Sequence, residues 1–118
     1  MIDKIEAFKQ RTKELALRVI KLFQSLPKSE EAGIIGKQLL RSATSVAANY
    51  RACCRARSDA EFFSKISIVV EEADETLFWI ELLAEAQIIP IDKLTPLLKE
   101  YEEVMKIVNT IRHNRKKA

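Results

Sequence analysis

Glycine and proline are scarce, two and three residues in a chain of 118. So few turn-formers exclude the many short strands and tight turns of a sandwich or barrel, and long helices are expected instead. Histidine occurs once, as His113, and cysteine twice, as the adjacent pair Cys53 and Cys54. Neighbours on a helix lie about 100° apart around its axis, so the two thiols do not readily bridge each other. With one distant imidazole they make a poor zinc set. Both are read as small packing residues. No apolar run approaches the roughly 20 residues that span a bilayer, and Met1-Ile2-Asp3-Lys4 leads into charges every three or four positions. Neither a signal peptide nor a membrane helix is therefore expected, and a cytoplasmic location is. A nucleophile–base pair, a glycine-rich phosphate loop and a dinucleotide fingerprint are all missing, so neither catalysis, a cofactor nor a small-molecule substrate is expected.

What the chain does contain is 47% hydrophobic and 31% charged residues in helical periodicity. The length suits one domain able to fold alone. Ile5, Phe8, Thr12, Leu15, Val19, Leu22 and Leu26 alternate by three and four, a seam for partner helices, so a first helix is expected over about 3–26. Pro27 ends it, and Ser29 ahead of Glu30 and Glu31 starts a second, over 30–57. Its interior is small (Ser42, Ala43, Ser45, Ala47, Ala48 and Ala52), which suits close approach of another helix. A third, over 58–86, is apolar over a wide arc from Phe62 to Leu83. A fourth, over 92–111 or slightly beyond, is capped by Asp92 or Thr95 with Asp92 preferred, and Pro96 falls in its first turn. Its stripe runs through Leu94, Leu98, Tyr101, Met105 and Val108. Short links between four such helices predict an all-α, antiparallel up-down-up-down four-helix bundle over 1–111, followed by a basic C-terminal tail, 112–118.

The most legible boundary is Ser58-Asp59-Ala60-Glu61, a capping box in which serine and glutamate each satisfy a free amide of the first turn. Acids after it and Arg55 and Arg57 before it match the dipoles of the two helices that meet there. The four segments 1–26, 27–57, 58–90 and 91–118 carry net charges of +3, +4, −7 and +3. In a hairpin turning at Arg57 and Ser58, positions summing to about 115 face each other. Arg41 is therefore expected beside Asp74, near Glu71 and Glu75, as a structural ion-pair cluster. Carboxylates at this density resemble those of di-iron bundles, but such sites need Glu-x-x-His pairs, and the chain has none. Phe78 and Trp79 add more apolar surface than one small core covers, and mark an oligomer interface.

Arg-Ser-Ala-Thr-Ser-Val-Ala-Ala-Asn-Tyr-Arg at 41–51, Cys-Arg-Ala-Arg-Ser-Asp-Ala-Glu-Phe at 54–62 and Glu-Glu-Ala-Asp-Glu-Thr-Leu-Phe-Trp-Ile-Glu-Leu-Leu at 71–83 together carry a resemblance. The chain resembles the four helix bundle proteins encoded by intervening sequences within bacterial large-subunit ribosomal RNA genes, a family related to the accessory protein of diversity-generating retroelements. The resemblance implies a ring of five bundles, and, through the retroelement relative, a basic surface for nucleic acid.

From charge and resemblance together the leading expectation is a non-enzymatic oligomeric scaffold that binds RNA or DNA through phosphates. The candidate residues are Arg51, Arg55 and Arg57 with Arg112, Arg115, Lys116 and Lys117. No aromatic interleaves them as a base-stacking platform requires. The alternative is a protein-interaction module that docks one partner on Phe78, Trp79 and the acidic edge from Glu71 to Glu75, without nucleic acid.

Overall fold

The computed structural model describes residues 3–117, and side chains for residues 3–115. Four helices follow one another, α1 (Lys4–Ser25), α2 (Glu30–Cys53), α3 (Asp59–Glu85) and α4 (Ile91–Lys117). They form the antiparallel up-down-up-down bundle, each packed against the next in sequence. Among the described residues no helix is long and apolar enough to cross a membrane.

Three starts are set by side-chain caps. Asp3 Oδ1 accepts from the Glu6 amide at 2.7 Å, Ser29 Oγ from Ala32 at 3.3 Å and Ser58 Oγ from Glu61 at 3.0 Å. Each satisfies one of the amides that a helix N-terminus leaves without a partner. The box at Ser58 closes one residue further back than expected, because Glu61 Oε2 accepts from the Arg57 amide at 3.2 Å. The fourth helix begins at Ile91, so Asp92 lies within its first turn rather than capping it. Pro96 is the sixth residue and leaves one carbonyl of the ladder without its amide.

Two ends differ from expectation. Helix α2 stops at Cys53, four residues short of Arg57, where Arg55 and Ala56 donate to carbonyls three residues back and tighten the turn. Helix α4 continues to Lys117, taking most of the expected tail into the bundle. The reason lies in stacking: the Arg112 guanidinium sits 5.0 Å from the Phe63 ring centroid, and that of Arg115 4.0 Å from Phe62. Helix α3 ends in a Schellman motif, with Ile88 donating to Leu83 and Gln87 to Ala84. Gln87 has φ 59° there, a left-handed conformation that disfavours any side chain bearing a Cβ. Gln87→Gly is therefore expected to raise stability by about 1 kcal/mol in urea unfolding; an unchanged or lowered midpoint would contradict it.

The core is one cluster drawn from all four helices. It includes Leu15 and Val19, Leu39 and Val46, Ile66, Ile80 and Leu83, and Leu94, Tyr101 and Val108. Between α2 and α3 the contact is made by small residues, with Ser42, Ala43, Ala73 and Thr76 fully buried. Thr76 Oγ1 donates to Ser42 Oγ at 2.9 Å, and Ser42 donates on to the Leu39 carbonyl at 3.1 Å. Helices α1 and α4 touch at few points. Their seam is stitched by Arg11, which reaches Glu100 at 2.5 Å and Glu103 at 2.8 Å, and by Arg18, 3.7 Å from Glu100. The Arg11 hydrogen bond holds the Glu103 carboxyl below its usual range. Ile5, which the alternation assigned to the seam, is 60% exposed at its open end.

Candidate nucleic-acid interface

Helices α1 and α2 run antiparallel from the turn at Pro27, and their outer faces bound a groove of about 520 Å³. Its floor is small and apolar (Ala16, Ala47 and Ala48), because the short side chains of α2 leave the space between the ridges unfilled. Leu17 and Ile20 close one end. Lys9, Lys13, Arg51 and Arg55 stand at the other, with Glu6 as the one acid in the lining. Lys9 is paired with Glu6 at 2.8 Å. Among the described residues Lys13, Arg51 and Arg55 make no ion pair. Three unneutralised cations over an uncharged floor form a local positive field suited to an anionic chain.

The other candidate cations have different settings. Arg57 lies in the α2–α3 connection, 3.9 Å from Glu61 and well exposed. Arg112 donates from Nε to Ser67 Oγ at 2.9 Å, and Arg115 pairs with Asp59 at 2.9 Å. These two arginines join α4 to α3, Arg115 through an exposed ion pair and Arg112 through a neutral hydroxyl and the Phe63 ring. Lys116 and Lys117 lie outside the described side chains. The structure thus brings Arg51 and Arg55 together with Lys9 and Lys13, which sequence reading passed over, and leaves Arg57, Arg112 and Arg115 elsewhere. A signal for the lysines existed. In a hairpin turning near Lys28, positions summing to about 57 face each other, which sets Lys9 beside Ala48 and Lys13 beside Thr44.

The ion-pair cluster forms around Arg41 with one expected partner, Glu75, and one unexpected, Glu72. Arg41 reaches Glu72 at 3.0 Å and also pairs with Glu75, while Glu71 and Asp74 face outward and take no part. The expected register was close, but neighbouring helical positions differ by about 100° in direction, enough to turn Asp74 away and bring Glu72 in. The Trp79 indole N–H donates to Glu75 at 3.2 Å. That bond, with help from Arg41, holds the Glu75 carboxyl below its usual range. Trp79 is half-buried, whereas Phe78 is 51% exposed, its ring edge-on to Trp79 at 4.8 Å. The exposed line Glu71, Asp74, Phe78 and Glu81 gives α3 an acidic outer face with one aromatic in it.

Of the two cysteines, Cys53 is buried, its thiol pushed up to about 11 by burial, and Cys54 is exposed.

The chain matches the model of the 23S rRNA-intervening sequence proteins over residues 6–110. It is 33% identical to a protein of unknown function from the S23 ribosomal protein family of Bacteroides thetaiotaomicron. That crystal structure superposes with a TM-score of 0.82, covering 88% of this chain and 96% of that one. Among curated proteins no match is found. A family match across nearly the whole bundle, and a solved relative that superposes over most of both chains, place the molecule: it belongs to the 23S rRNA-intervening sequence protein family.

Proposed function

We propose that the protein is a non-enzymatic helical scaffold that binds nucleic acid through phosphate contacts in the α1–α2 groove, and that it works as a homo-oligomer. One observation carries the reading: Lys13, Arg51 and Arg55 line a groove with an apolar floor and make no ion pair among the described residues. Phosphate oxygens are the partners such cations lack. The family name, which refers to ribosomal RNA, makes RNA the first probe. A ring of five is the assembly that the resemblance suggests, and Phe78 on the outer face of α3 is where we place the contact between copies.

The test is a fluorescence-anisotropy titration of labelled RNA at several salt concentrations. Three neutralised phosphates predict a log–log salt slope of about 2 to 3, and Arg51→Ala/Arg55→Ala is expected to bring it below about 1. The same double change at Arg112 and Arg115 is expected to lower stability and leave the slope alone. Absence of binding at low salt would sink the reading.

A second reading, docking of a protein partner without nucleic acid, is favoured by the exposed Phe78 between Glu71, Asp74 and Glu81. It predicts that Phe78→Ser abolishes partner capture while the Arg51→Ala/Arg55→Ala variant retains it.

A further inference from the structure

We infer that the α1–α2 groove is a seat for single-stranded RNA and discriminates against duplex, an inference that rests on the phosphate-binding reading above. The argument is one of shape. Packed helix axes lie about 8–10 Å apart, and the recess between α1 and α2 is the concave gap between two such ridges. The cations line its walls and its floor is low, Ala47 and Ala48 being the residues beneath. An RNA duplex offers its phosphates on a rigid convex surface, and its deep major groove is too narrow for side chains to enter. It would ride on the two helix ridges and meet the recessed charges poorly. A single strand can rotate its backbone torsions and settle between the walls.

Charge placement supports the same occupant. Lys9 and Lys13 are one turn apart on α1, about 6 Å along its axis, while Arg51 lies in the last turn of α2 and Arg55 in the tightened turn just past its end. One strand lying lengthwise meets both pairs. The opposite end of the groove changes chemistry: Leu17 is 53% exposed and Ile20 half-buried, an aliphatic surface on which the face of a base can lie. Because no aromatic lines the groove, base contact there is sequence-tolerant and adds little discrimination. The choice of RNA over DNA comes from Gln10 and Thr44. Thr44 Oγ1 donates to the carbonyls of its own helix, at 2.8 Å to Leu40 and 3.0 Å to Arg41, which leaves its lone pairs open to a 2′-hydroxyl donor. The exposed Gln10 amide offers a donor and an acceptor to the same group.

The experiment compares four labelled probes of one sequence, about 12 nucleotides long, within the range of single-strand sites. They are an RNA strand, the DNA strand, the RNA duplex and the DNA duplex, all titrated at about 0.1 M salt. The expected order is RNA strand first, DNA strand severalfold weaker, and both duplexes at least tenfold weaker than the RNA strand. Ala48→Phe fills the groove at an exposed floor position and keeps all four cations. It is expected to reduce RNA-strand affinity at least tenfold, with circular dichroism and melting temperature unchanged. Duplexes binding as tightly as the strand, or Ala48→Phe leaving affinity untouched, would overturn the groove as the seat while phosphate binding stood. Equal affinity for the DNA and RNA strands would overturn the choice of RNA. If no probe binds even at low salt, the underlying phosphate reading falls with it.

Discussion

Ser42→Leu is expected to destabilise the protein by about 3 kcal/mol, lowering the melting temperature by roughly 12 °C for a domain of this size. Ser42 is fully buried where α2 crosses α3, in contact with Thr76 and flanked by Ala43 and Ala73, all wholly inaccessible. The helices approach closely because these side chains are small, so a leucine has no space to enter and must push the axes apart. Loss of the hydroxyl itself is a minor part of the effect. Thr76 Oγ1 also reaches the Glu72 carbonyl at 2.8 Å, so it keeps a partner when Ser42 is removed. Ser42→Ala is accordingly expected to cost about 1 kcal/mol or less, and the gap between the two variants isolates the steric contribution. Thermal unfolding followed by circular dichroism measures both; a Ser42→Leu protein melting within two or three degrees of wild type, on the same scale, would refute the close-packing account.

The second large effect concerns Tyr101. Its side chain is fully buried on α4, among the largest in the core, and its hydroxyl is the one buried side-chain polar atom without a hydrogen-bond partner among the described residues. Burial pushes its ionisation well above the ordinary tyrosine range. A buried donor left unsatisfied costs about 1–3 kcal/mol, while the ring contributes packing that costs about 3–5 kcal/mol to delete. The two parts of one side chain therefore act in opposite directions. Tyr101→Phe is expected to stabilise by about 1 kcal/mol and Tyr101→Ala to destabilise by about 4 kcal/mol, measured by urea unfolding. Should Tyr101→Phe lose a kilocalorie instead, the hydroxyl is bonded in solution and the orphan assignment is wrong.

What could be read from the chain, and what could not, divides along the range of the interaction concerned. Caps at Ser29 and Ser58 depend on residues three positions away, and both stand as expected. The end of α2 was missed because Cys54 to Arg57 contains neither glycine nor proline, and the tightening at Arg55 and Ala56 leaves no compositional mark. The extension of α4 was missed because its apolar stripe stops at Ile111. Beyond that point the helix is held by Arg112 and Arg115 lying on aromatic rings, residues that polarity alone assigns to solvent. Arg41 shows how far a hairpin register carries: the opposing turn and Glu75 stand as expected, while Glu72 takes the place of Glu71 and Asp74. For the groove, Arg51 and Arg55 stood out by charge, while Lys9 and Lys13 acquire meaning only once α1 is laid beside α2. The α1–α4 seam had no signal, since no turn joins those helices to set a register.

That seam also bears on how fast the chain can fold. Each of the other packed helix pairs is contiguous in sequence, so the hairpins α1–α2, α2–α3 and α3–α4 close over short loops. Such local topologies reach the native state in microseconds to milliseconds. The connection from Arg11 to Glu103 spans 92 residues and is made by exposed charges, which stabilise little by themselves. Closing the largest loop in the molecule is therefore left to its weakest contacts, and a transition state can form without it. Refolding speed should be governed by the α2–α3 hairpin, with α1 and α4 finding each other only after the barrier has been crossed.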